Sequence, residues 1–224
     1  MADALALARS YVSSGVDLAL CTPHYSRRYA TDHGEARKQR AALTEALESE
    51  GIELALALAA EVSPEFSVSA PAEELLARSI AGRYLLVELV ADTPVVFPDT
   101  VAARLAEFDL IPIFAHPERC RAIRRHVSAL DEARSGGALV QVVAPSLIGG
   151  WGPEIAAMAW QLVDSGRADL IASDTHHLAR RLSLLEAAEL ISDRLGDHVS
   201  WLLTTQRPGL VVRGLDPNRE AEAR

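Results

Sequence analysis

The chain has 224 residues, 49% apolar, 24% charged and 5% aromatic, the composition of one globular domain with a sizeable core. A net charge of −9 argues against nucleic acid as a partner, because an acidic surface gains nothing from counterion release; the short 121–125 arginine stretch reads as a solvated helix face. Two cysteines, Cys21 and Cys120, fit free thiols in a reducing compartment, no apolar run reaches the roughly 18 residues that span a bilayer, and residues 1–5 carry an early acid and no basic run, so the chain reads as cytoplasmic.

Apolar positions three and four apart predict a helix over 3–14, stopped by Gly15. Residues 16–21 are a short apolar run, a buried strand. A helix over 33–50 ends at Gly51. The alanine-rich run 52–60 suits a helix by propensity, but its place after a helix C-cap favours a strand. Pro71 opens a helix over 72–80, residues 84–90 form a strand, and Pro98 introduces a helix over 99–108. A strand over 110–115 precedes a helix over 121–134. Gly136-Gly137 lead into a strand over 138–143. A helix over 153–165 is closed by Gly166, and 169–173 is the last strand. Helices over 180–195 and 199–203 complete a single domain of 1–215, with 216–224 a charged, frayed tail.

Six strands alternate with helices, and none shows polar alternation. Such strands form a parallel sheet covered on both faces, either open and doubly wound or closed into a barrel. In both, active sites gather at the C-terminal ends of the strands.

The residues at those ends carry the chemistry. The first strand leads to His24, the second to Glu61, and the third holds Glu88 late in its run. The fourth leads to His116-Pro117-Glu118-Arg119, the fifth holds Gln141 with Ser146 beyond it, and the sixth leads to Asp174-Thr175-His176-His177. A lone histidine after a strand is commonly structural. Glu61 and Glu88 are harder to explain that way, because a carboxylate in an apolar run is costly unless paired or metal-bound. Arg119 could supply such a pair as a buried salt bridge. Three imidazoles and three carboxylates on one rim make a divalent-metal cluster the stronger reading. Clustered divalent metals support phosphoester hydrolysis, and Arg119, or Arg180 and Arg181, would grip phosphate oxygens. His33, His126 and His198 read as surface groups, and His177 diverges from its neighbour. Trp151, Trp160 and Trp201 read as core or rim packing.

These motifs, Cys21-Thr22-Pro23-His24-Tyr25, Ala60-Glu61-Val62, Leu86-Val87-Glu88-Leu89, Ala115-His116-Pro117-Glu118-Arg119, residues 141–147 and Ser173-Asp174-Thr175-His176-His177, together resemble the PHP (polymerase and histidinol phosphatase) superfamily. They are most similar to the bacterial capsule and exopolysaccharide-type metal-dependent protein-tyrosine phosphatases. The resemblance implies an α/β fold, a distorted (β/α)7-type barrel. It implies up to three divalent ions, manganese first, with zinc, iron or magnesium as alternatives. It implies hydrolysis of phosphotyrosine on a bacterial tyrosine kinase in polysaccharide synthesis; a homo-oligomer is compatible with it. By motif position, His24, Glu61, Glu88, His116, Asp174 and His176 would be metal ligands, Glu88 bridging, and Arg119 and Arg181 would bind phosphate.

The family pattern opens with a strand ending Asp-x-His-x-His, and no histidine precedes His24 here. The expected barrel therefore lacks its first strand and two ligand histidines, through a late chain start or an incomplete site. It would expose two sheet edges. An incomplete site would lower activity and would show first at Asp174, which shares a metal with those histidines in the family pattern.

Three rival readings stand beside this one. Cys21 and Arg27 have the Cys-x5-Arg spacing of thiolate phosphatases, although Pro23 removes a backbone donor from that loop. A degenerate barrel could bind a phosphopeptide or kinase without cleaving it. A small phosphoester, such as histidinol phosphate, could be the substrate.

Overall fold

The computed structural model describes residues 1–89, 93–177 and 183–218. Its eight strand segments are β1 (Leu18–Cys21), β2 (His24–Tyr25), β3 (Ala55–Leu58), β4 (Glu61–Val62), β5 (Tyr84–Glu88), β6 (Ile111–Ala115), β7 (Leu139–Val143) and β8 (Leu170–Ala172). All pairings of one strand with another are parallel. β1 pairs with β3, and the remaining six lie in the order β2-β4-β5-β6-β7-β8.

β1 and β2 are one strand interrupted at Thr22-Pro23, and β3 and β4 are one strand interrupted at Ala59-Ala60. The register runs through both breaks: Cys21 faces Leu58 and His24 faces Glu61. Backbone bonds from Ala59 to the Cys21 carbonyl and from Glu61 to the Pro23 carbonyl carry the ladder across. Pro23 has no N–H to give in return, which is a physical reason for the break. Six strands thus stand where the hydrophobic pattern places them.

Their spatial order follows chain order without reversal. Right-handed crossovers that never reverse keep the helices on one face of the sheet and curl it toward a barrel, rather than winding it doubly. The ends of the sheet do approach: Tyr11 Oη lies 3.3 Å from Ser173 Oγ, and the His24 and His176 rings are 6.1 Å apart. Among the described residues no ladder joins β8 to β1 or β2.

The two-residue period of a strand sorts side chains into two layers. Leu85, Val87, Phe114, Val140, Val142 and Ile171 point outward into a large core against the helices. Tyr84, Leu86, Ile113, Ala115, Leu139 and Leu170 point inward and form a smaller cluster with Val211. Val211 lies in the helix Arg207–Val212. Just after that helix, the Gly214 and Leu215 carbonyls accept bonds from Arg83 Nη1 and Tyr84 Oη at 3.1 and 2.9 Å. This segment plugs the inner layer at the end where the strands begin. A third cluster joins the helices Ala2–Ser13 and His33–Ser49 through Ala8, Leu47 and Leu54.

Three local differences from the sequence pattern have physical causes. The helix expected over 121–134 breaks at His126 into Arg121–Arg125, a 3-10 turn Val127–Leu130 and Asp131–Ser135. Ile123 is the only side chain of its first segment in the core, so little burial holds that segment in line with the next. A helix Pro64–Ser69 follows Ser63, whose side chain caps it, with proline at the first turn. The final helical run extends beyond 203 as far as Val212. The starts of the helix expected from 180 and most of the tail 216–224 lie outside the described residues. No helix among the described residues is long and apolar enough to cross a membrane.

Candidate metal centre

Strand parity and register build the site. Glu61 faces Leu86 across the ladder and so shares its inward direction; His24 faces Glu61, and Glu88 lies two positions beyond Leu86. All three side chains therefore meet on the inner face at the C-terminal ends of the strands. One ligand atom from each lies within 4.8 Å of the others.

His116 reaches the same point by a different route. It follows inward-facing Ala115, so continued strand geometry would turn it outward. Instead its backbone is left-handed, φ 36°, and its N–H bonds the Gln141 carbonyl at 2.8 Å. The ring swings inward, almost fully buried at 2% exposure, with Nε2 3.2 Å from Glu61 Oε1 and 3.7 Å from Glu88 Oε1. Asp174, beyond β8, is also left-handed at φ 48°. Non-glycine residues adopt this conformation rarely, and strain of this kind gathers at functional sites.

The contacts interlock. His24 Nδ1 lies 3.1 Å from Glu61 Oε2 and 3.5 Å from Glu88 Oε2. Each carboxylate thus turns one oxygen to His24 and the other to His116, giving two adjoining groups of one nitrogen and two oxygens. Nitrogen–oxygen separations of 3.1 to 3.7 Å are near the spacing of neighbouring ligands that each sit about 2.1 Å from one ion. The chemistry of the set fits as well. Burial alone would raise the Glu61 pKa, but the bond and charge of His116, with His24 and His176, outweigh it and hold that carboxyl below its ordinary value. Burial pushes Glu88 up, and the charge of Glu61 pushes it further. Two crowded carboxylates short of positive charge suit a divalent cation.

Around this centre is a cavity of about 520 Å³, lined by all six ligand candidates with Arg119, Trp151 and His177. Arg119 does not pair with Glu61 or Glu88 as a buried bridge. Its Nη1 donates to Asp174 Oδ2 at 3.3 Å, and its guanidinium lies 4.8 Å from the Trp151 ring centroid. Asp174 also lies close to His176, whose Nδ1 is 3.0 Å from the Asp174 carbonyl and 3.6 Å from Oδ1. Tyr29 stacks on His24 at 5.5 Å. Arg180 and Arg181 lie outside the described residues.

Two residues gain roles that their sequence context did not signal. Glu118 is fully buried; its Oε1 accepts the Val143 N–H at 3.1 Å, tying the His116–Arg119 turn to the end of β7, and burial raises its pKa. Trp151 stands on the rim of the cavity within Gly149-Gly150-Trp151-Gly152, a glycine cluster that marks a sharp loop but not its direction. The Cys21 thiol does not suit thiolate chemistry. Burial raises its pKa, Arg40 offsets this only in part, and the residue is not among those lining the cavity.

Known proteins share this architecture. The chain is 30% identical over 197 residues to the putative tyrosine-protein phosphatase CapC of Staphylococcus aureus, covering 86% of this chain and 75% of that protein. It is 28% identical over 209 residues to the tyrosine-protein phosphatase YwqE of Bacillus subtilis, covering 91% and 81%. Among solved structures it superposes, with a TM-score of 0.84 and 26% identity over 96% of this chain and 87% of the other, on a chain from the crystal structures of YwqE from Bacillus subtilis and CpsB from Streptococcus pneumoniae, described as unique metal-dependent tyrosine phosphatases. Residues 1–213 match the family described as capsular polysaccharide synthesis, CpsB/CapC, and the chain belongs to that family.

Proposed function

We propose that this chain is a metal-dependent protein-tyrosine phosphatase whose substrate is a bacterial tyrosine kinase of capsular or exopolysaccharide synthesis. The observation that carries the reading is the interlocked set of His24, Glu61, Glu88 and His116, with Arg119 at its edge. The names of the family and of its relatives support the substrate class.

In this reading His24, Glu61, Glu88 and His116 would hold divalent ions, manganese first. His176 and Asp174 complete the rim. Such ions supply Lewis acidity, lowering the pKa of water and neutralising phosphoryl charge. The chain's own groups do the rest. Glu61, as a carboxylate, would supply negative charge at the centre of the cluster. Arg119, steered by Asp174 and Trp151, presents its planar fork to phosphate oxygens. Arg181 is the second phosphate-binding candidate. The rim stays open enough for a side chain of a protein substrate to enter.

The test is hydrolysis of a phosphotyrosine peptide by the purified chain with added Mn²⁺. Activity should be abolished by EDTA. Glu61→Gln should lower kcat/KM by about 100-fold or more and reduce bound manganese in elemental analysis. Full activity in EDTA, or unchanged metal content in Glu61→Gln, would sink the reading.

A further inference from the structure

We propose that Trp151 is the wall of an aryl subsite: its indole packs the aromatic ring of a phosphoester whose phosphate is held at the carboxylate–imidazole cluster, so the site prefers aryl to alkyl phosphates. This rests on the phosphatase reading above and names what selects its substrate.

The cavity has strong means of holding a phosphate and few of holding what the phosphate is attached to. Its described lining is made of imidazoles, carboxylates and one guanidinium, with a single exception. Trp151 is the one tryptophan, tyrosine or phenylalanine among those residues. A chain with only 5% aromatic residues has therefore placed a tryptophan against a cavity lined otherwise by charged and imidazole side chains. The indole is 38% exposed there. Trp160 gives its Nε1–H to the Leu147 carbonyl and lies beneath Arg194, away from this cavity.

The loop is shaped to hold Trp151 in this position. Gly149 and Gly152 flank it at φ 82° and φ 92°, conformations that side chains rarely adopt. A Cβ on Gly150 would come within 3.1 Å of the Pro145 carbonyl oxygen, so the backbone packs closely on the preceding helix, Ala144–Leu147. The helix Pro153–Asp164 then starts at once. The close approach at Gly150 and the immediate start of the next helix set where the backbone carries Trp151, and a pre-positioned aromatic loses little entropy on binding.

Arg119 links the two halves of the subsite. Its guanidinium touches Asp174 on one side and the indole on the other. A phosphate gripped by that fork leaves its ester group one side chain away from Trp151. An aromatic ring there gains an offset or edge-to-face contact; a serine or glycerol ester has no face to offer.

Calorimetry on the Mn²⁺-loaded full chain tests this with two non-hydrolysable probes, phenylphosphonate and methylphosphonate. Phenylphosphonate should bind about five-fold tighter, the size of one aromatic pair. Trp151→Leu should remove that preference, bringing the ratio of the two affinities to about one, and Trp151→Phe should restore most of it. Equal loss of both probes in Trp151→Leu would mean that the indole serves only to position Arg119, and equal binding of both probes to the unaltered chain would leave no aryl subsite; either overturns the proposal. The two readings fail separately. A preserved phenyl preference without turnover would sink the phosphatase reading alone, and turnover without a phenyl preference would sink the subsite alone.

Discussion

Cys21 and His24 share one interrupted strand, yet they meet opposite surroundings. His24 faces two carboxylates, whereas Cys21 is half-buried with a raised pKa. Cys21→Ser should therefore keep phosphotyrosine hydrolysis within about two-fold of the unaltered chain, a change smaller than the factor of ten that 1.4 kcal/mol would give. Loss of activity in that variant, with EDTA harmless, would reinstate the thiol. The ligand candidates were legible because each ends an apolar run, where a carboxylate or imidazole needs a reason to be. Arg119 was legible as a residue of the strand-end rim, but not its attachment to Asp174, because the two are 55 positions apart and meet only through the curl of the sheet. The turn of His116 was hidden too. No residue preference announces a left-handed histidine, and simple alternation would have sent its ring the wrong way.

Elements hold their places through a few identifiable contacts at their ends. Asp32 caps the helix His33–Ser49 by accepting the Glu35 N–H at 2.7 Å. Asp32→Ala should lower stability by about 1 kcal/mol in urea unfolding, with little change in catalysis. The segment Asp131–Ser135 is tied to the approach of β8 by Arg167, which donates to both Asp131 oxygens at 2.8 and 2.9 Å. That bond, offset slightly by burial, holds the Asp131 carboxyl below its ordinary value. A depressed folded pKa adds stability above the unfolded pKa of about 3.9 and loses it as pH falls through the folded value. Asp131 is 45% exposed and Arg167 26%, so solvent screens the pair. Asp131→Asn should cost about 0.2–1 kcal/mol at pH 7, and the two proteins should converge as pH falls through the depressed folded value. A difference that grows on acidification would contradict this. The strands were legible throughout because their apolar runs are long for their purpose and bounded by glycine or proline. The helix over 121–134 was not, because propensity says nothing about a break whose cause is weak burial.

The molecule as a whole is divided along its inner layer. Polar chemistry fills the end where the strands finish, and the segment from Arg207 to Leu215 stoppers the end where they start. Tyr84 is the hinge pin of that lower end, 1% exposed with its hydroxyl on the Leu215 carbonyl. Tyr84→Phe should lower stability by about 1 kcal/mol and speed proteolytic clipping near residue 213, while leaving metal content unchanged. Faster clipping without loss of global stability would show that the segment opens on its own.

That stopper has a consequence for how the protein is made. All six strands have left the ribosome once Ala172 is out, and they can pair in the order in which they appear, since neighbours in the sheet are neighbours in the chain. The inner layer cannot dry until Val211 arrives. Throughout that interval the nascent sheet carries a wetted apolar floor. The stretch of translation between residues 172 and 211 is when this chain most needs a chaperone, and slowing synthesis there should lengthen its exposure rather than help it fold.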